Sequence, residues 1–89
     1  MNNYILQLGI EDKAEIELLT KELSNKIVGE LVAERKNQKL TQQNIADATG
    51  MKTANVTRFE GCKFTPSLEG LIRYAKALGK EVKIELVDE

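Results

Sequence analysis

The sequence predicts an all-α domain of about five helices closed by one C-terminal β-strand, and three observations predict it. Of 89 residues, 42% are hydrophobic but only 4% aromatic, with no Trp, so Leu, Ile, Val and Ala must build the core, a composition that favours helices. Apolar residues recur at i+3 and i+4 from about Asp12 to Leu78. After Gly79 the period changes: Val82, Ile84 and Leu86 alternate with Glu81, Lys83 and Glu85, as in a half-buried strand.

Residues 1–10, MNNYILQLGI, fit either a frayed tail or a short strand. From Asp12, Leu19, Leu23, Ile27 and Leu31 repeat every four residues, with Val28 and Val32 beside them. That helix either runs to Lys36 or breaks at Ser24-Asn25, which would cap a second one. Gly29 in its interior, about 1 kcal/mol worse than Ala, predicts close packing of another element there.

The segment NQKLT (37–41) interrupts the period, and Thr41 suits an N-cap. Ile45 and Ala46 give the next helix its inward face, and Gly50 suits a left-handed C-terminal residue. A further helix starts near Lys52 or Thr53, with Met51, Val56 and Phe59 inward. GCKFTPS (61–67) is a connecting loop, with Pro66 in the first turn of the following helix. There Leu68, Leu71, Ile72, Ala75 and Leu78 form the stripe, and Gly79 stops it. The organisation is an N-terminal extension (1–25), a central domain (26–79) and a C-terminal strand and tail (80–89).

Several function classes are disfavoured by inventory. The lone Cys62 rules out an internal disulfide, and the lack of His leaves no transition-metal site; no cofactor is implied. No apolar run approaches the roughly 18 residues needed to span a membrane, and the N-terminus lacks the features of a signal peptide, so a cytoplasmic protein is expected. No catalytic pair, phosphate loop or spaced carboxylate set points to an enzyme. Net charge is −1, but residues 31–65 hold six bases against three acids while both ends are acidic. A local basic patch of this kind can serve a specific contact. A single strand would leave unpaired backbone groups, which predicts a homodimer through Val82, Ile84 and Leu86.

Within residues 41–61, Thr41-Gln42, Ile45-Ala46, Gly50-Met51, Val56 and Thr57-Arg58-Phe59-Glu60 fall at fixed offsets. This arrangement resembles the helix-turn-helix of the phage-repressor-like (XRE/Cro/CI) family, and the likeness continues through PSLEGLIRYAKALG to about residue 79. The resemblance implies double-stranded DNA as partner, with the helix after Gly50 in the major groove. It also implies a phosphate contact from Gln42 and base reading from Lys52, Thr53, Ala54 and Arg58. Asn55 and Thr57 lie beside these, and Lys63 meets phosphate. Arg35 and Glu60 stand where the family has a structural ion pair. The family's ENG after the reading helix is EGC here, with the glycine one residue early.

The long helical segment before the motif and the strand after AKALGK also resemble the HigA-type antitoxins. That likeness implies a repressor that reads an inverted repeat as a homodimer and neutralises a small basic toxin protein. A stand-alone phage-like repressor and a protein-interaction module with reduced DNA binding are the alternatives.

Overall fold

The computed structural model describes residues 10–88, and the readings of residues 1–9 lie outside that range. Four helices form among the described residues: α1 (Ile10–Asn37), α2 (Gln42–Thr49), α3 (Thr53–Glu60) and α4 (Leu68–Ala77). Among the described residues the fold is all-helical, with four helices where about five were expected. The difference lies in α1, which runs unbroken through Ser24-Asn25 and across the 25/26 boundary. A capping residue ends a helix only where the chain leaves helical geometry. Here Lys21, Glu22 and Leu23 before the pair, and Lys26 after it, are helix formers, and Val28 and Leu31 anchor the next turns in the core.

The core is one cluster: Val28 and Leu31 from α1, Ile45 and Ala46 from α2, Val56 and Phe59 from α3, and Tyr74, Ala75 and Leu78 from α4 and its end. Helix α2 packs on α3 and α4, and α1 packs on the same two helices. Only the second half of α1 takes part. Ile16, Leu19 and Leu23 are exposed, so the first half projects as an arm, and the molecule is elongated at 47 × 24 × 20 Å. Gly29 is exposed, and a Cβ there would meet nothing within 4 Å; the close packing expected at this glycine is absent. The stripe of α4 is also rotated from its expected position. Leu68 and Ile72 are exposed, while Tyr74 is fully buried.

Helix ends explain how such short helices hold. Thr41 closes a capping box with Asn44: the Asn44 N–H donates to Thr41 Oγ1 at 3.1 Å, and the Thr41 N–H donates to Asn44 Oδ1 at 2.8 Å. Ser67 caps α4 through the Gly70 N–H at 3.0 Å, which puts Pro66 one residue before the cap and outside the first turn. At the C-termini, α1, α3 and α4 finish in the same paired pattern. Leu40 N–H reaches Arg35 O, Lys63 N–H reaches Arg58 O, and Lys80 N–H reaches Ala75 O, around left-handed residues Lys39, Cys62 and Gly79.

Residues 80–88 carry neither helix nor ladder among the described residues. A strand exists by virtue of its ladder partner, and one copy of this segment supplies none. Val82 is half-buried against the core, whereas Ile84, Leu86 and Val87 are exposed.

Candidate nucleic-acid interface

Glu60, the last residue of α3, organises the interface from below. Its carboxylate receives Arg35 Nε and Nη2, both at 2.9 Å, in a two-pronged ion pair from α1. The Tyr74 hydroxyl donates to it at 2.6 Å and Gln42 Nε2 at 3.1 Å. Arg35 also donates from Nη1 to Leu40 O at 2.9 Å, tying down the chain that enters α2. Among the described residues, no buried side-chain nitrogen or oxygen lacks a partner. A charge pair this enclosed is tolerable because each of its nitrogens and oxygens has a hydrogen-bond partner.

The ionisation of these groups follows from the same contacts. Burial pushes the Glu60 carboxyl up, but the hydrogen bonds from Arg35, Tyr74 and Gln42 together outweigh it and hold its pKa below the ordinary value. Burial, then the hydrogen bond to Glu60, raises Tyr74. Arg35 is raised chiefly by its hydrogen bond to Glu60. The pair therefore stays charged through neutral pH.

From Glu60 the network runs outward. Gln42, the first residue of α2, accepts the Thr57 hydroxyl on Oε1 at 2.7 Å, while its amide nitrogen holds Glu60. One carboxamide thus links the buried ion pair to the outer face of α3. A second link is Thr53, whose hydroxyl donates to Gln43 Oε1 at 2.8 Å; Gln43 Nε2 in turn donates to Asp47 at 2.8 Å. The Thr53 hydroxyl is oriented from α2, and the Thr57 hydroxyl lies between Gln42 Oε1 and, at 3.1 Å, the Thr53 carbonyl of its own helix; each oxygen keeps accepting capacity.

Val56 and Phe59 face the core at 0% and 3% exposure, and this fixes the rotation of α3. Lys52, Ala54, Asn55, Thr57 and Arg58 consequently lie exposed, with Thr53 and Gln42 half-buried beside them. Lys63 is exposed in the following loop. The Arg58 guanidinium sits over the Phe64 ring, 5.7 Å from its centroid. Phe64 meets Phe59 edge-on at 6.4 Å, and Phe59 stacks on Tyr74 at 5.2 Å. Sequence reasoning assigned no role to Phe64 or Tyr74, although Tyr74 lies three residues after Leu71 and one before Ala75, within the helical period.

The early glycine does not move the turn. Gly61 has φ −82°, and Cys62 takes the left-handed conformation at φ 55°. With Glu60 pinned to Arg35, the helix end is held in place, and the left-handed residue two positions later is Cys62.

Two helices joined by a turn at Gly50 (φ 76°), with the second rotated to expose polar residues from its N-terminal end, form the unit that enters a major groove. The helix-turn-helix family model matches residues 31–84, well over half of the chain. The chain belongs to the XRE-type helix-turn-helix family. Its class is that of DNA-binding transcription regulators. No curated protein and no solved structure matches it. The helix-turn-helix match begins inside α1, beyond the projecting arm, and ends in the C-terminal segment. No helix among the described residues is long and apolar enough to cross a membrane.

Proposed function

We propose that this helix-turn-helix protein is a repressor that binds an inverted-repeat operator as a homodimer. The observation that carries the reading is the outer face of α3, where exposed Lys52, Ala54, Asn55, Thr57 and Arg58 are backed by a buried, two-pronged ion pair. Side chains held before binding lose less freedom on binding. Arg58 offers two parallel bonds to guanine O6 and N7. Ala54 and the Thr53 methyl make apolar contact with thymine, and Lys52 and Asn55 complete the reading surface. Lys63 and the second amide N–H of Gln42 take phosphates. Dimerisation runs through Val82, Ile84 and Leu86, setting two α3 helices about 34 Å apart, and repression follows from occupying promoter DNA in the cytoplasm.

Within this reading the protein is the antitoxin of a toxin–antitoxin operon. The support is the projecting arm, which carries five acids and two lysines over residues 10–23 together with exposed Ile16, Leu19 and Leu23. Such a surface suits a small basic partner.

Selection of the purified protein against a random DNA library at near-physiological salt tests the proposal. It should recover an inverted repeat with half-sites about one helical turn apart. Recovery of no enriched sequence would favour the protein-interaction reading instead. A single unrepeated site would defeat the dimer. A toxin gene beside the recovered operator would support the antitoxin role, and its absence would favour a stand-alone repressor.

A further inference from the structure

The C-terminal segment carries more information than the propensity to pair. In an antiparallel pair around a two-fold axis, each choice of axial residue fixes every cross-strand neighbour. With Ile84 on the axis, Ile84 faces the partner's Ile84 and Val82 faces the partner's Leu86. Lys83 then faces the partner's Glu85, and Lys80 faces the partner's Asp88. Apolar residues meet apolar residues, and opposite charges meet, the off-axis pairs each occurring twice by symmetry. Glu81 opposite the partner's Val87 is the one mixed pair.

Neighbouring registers oppose like charges or set charged residues against apolar ones. Lys83 on the axis opposes two lysines and sets Glu81 against the partner's Glu85. An axis at Glu85 opposes two glutamates. Placing Val82 there sets Lys80 against the partner's Ile84 and runs the ladder into Gly79, whose φ of 71° cannot extend a strand. A Leu86 axis sets Glu85 against the partner's Val87 and Ile84 against the partner's Asp88.

The surface of the monomer favours the same choice. Val82 and Ile84 line an apolar groove with Leu23 and Ile27 of α1 and Leu71 of α4. Leu86 is 99% exposed on its own chain. The Ile84 register brings the partner's Leu86 opposite Val82, at the mouth of that groove. Lys80 already lies 3.8 Å from Glu34 of its own chain, so the Lys83–Glu85 pairs carry most of the electrostatic selection.

We infer that two copies of this chain pair antiparallel through residues 80–88 with Ile84 on the two-fold axis. Cross-strand Lys83–Glu85 pairs fix the register, and each copy's Leu86 seats in the groove between α1 and α4 of the other. The inference rests on the strand-mediated dimer proposed above.

Charge reversal tests it, with the dimer dissociation constant read by sedimentation. Lys83→Glu sets a carboxylate against the partner's Glu85 twice per dimer, and Glu85→Lys sets an ammonium against the partner's Lys83 twice. Each alone should weaken the dimer about tenfold or more, while an equimolar mixture of the two variants should be rescued as a heterodimer, tighter than either variant with itself. In that heterodimer both cross-strand pairs join a carboxylate of one variant to an ammonium group of the other. Both residues are exposed in the monomer, so helix content should be unchanged. Variants that dimerise like wild type would overturn the register. The double variant Lys83→Glu with Glu85→Lys, which restores opposite charges at both pairs, should recover affinity near that of wild type, and its failure to do so would also overturn the register. Ile84→Pro separates that failure from failure of the strand dimer. Monomers with Ile84→Pro but indifference to charge reversal would keep the strand and remove the register. A wild-type monomer, or a dimer that survives Ile84→Pro, would remove both.

Discussion

The two halves of α1 share one helix and one apolar period, yet they live in different surroundings. Over its second half, Val28, Leu31 and Arg35 are buried against α3 and α4, and Arg35 is bonded into the network that carries the reading helix. Over its first half, Ile16, Leu19 and Leu23 repeat the same spacing with about half or more of their surface in water. The contrast teaches that periodicity reports an apolar face but not what covers it. The second half serves the DNA-binding unit of its own chain, and the first half is surface available to another molecule.

The sharpest way to break this comparison is at Arg35. Glu60→Ala removes the carboxylate and strands the Arg35 guanidinium at 9% exposure. Loss of one partner of such a pair is expected to destabilise the domain by about 3–5 kcal/mol, read by urea denaturation. In the arm, Leu19→Ala should change monomer stability by less than about 0.5 kcal/mol in the same assay. Equal effects would erase the distinction between the halves.

Acid offers a second handle on the buried half. Folding depresses the Glu60 pKa, so the native state binds fewer protons than the unfolded state in the acid range. Its contribution to stability is complete above the unfolded glutamate value, about 4.3, and is lost as pH falls from there through the lower folded-state value. Glu60→Gln should flatten this part of the stability–pH curve, which a series of melts from neutral to acid pH would reveal.

Legibility divides along the same line. Local devices could be read from the sequence: Thr41 as a cap, Gly50 in the left-handed turn, Ile45, Ala46, Val56 and Phe59 inward. Each depends on neighbours within a turn or two. Tyr74 could not, because Leu68 and Ile72 draw the apparent stripe of α4 away from it, although both are exposed. The rotation is set by the Phe59 ring stacked on Tyr74 and the Glu60 carboxylate that its hydroxyl reaches. The Gln42–Thr57 and Thr53–Gln43 bonds join residues 15 and 10 positions apart, and spacing alone carries no sign of them. The arm misled for a related reason: Leu19 and Leu23 extend a true helical period past the point where the domain ends.

Smaller effects sharpen the account of helix ends. Lys39 and Cys62 are left-handed at φ 59° and 55°, a conformation that disfavours side chains. Lys39→Gly and Cys62→Gly should each stabilise the domain by about 0.5–1 kcal/mol in thermal melts. The glycine at 61, in an ordinary conformation, should give no such benefit if moved.

The most direct test of the central claim compares wild type with Arg58→Ala on the selected operator and on every single-base variant of one half-site. If α3 reads bases through Arg58, the variant should lose its preference at one base pair, by about 1–3 kcal/mol of discrimination, and keep it elsewhere. A preference profile unchanged at every position would contradict the assignment of α3 as the reading helix through Arg58.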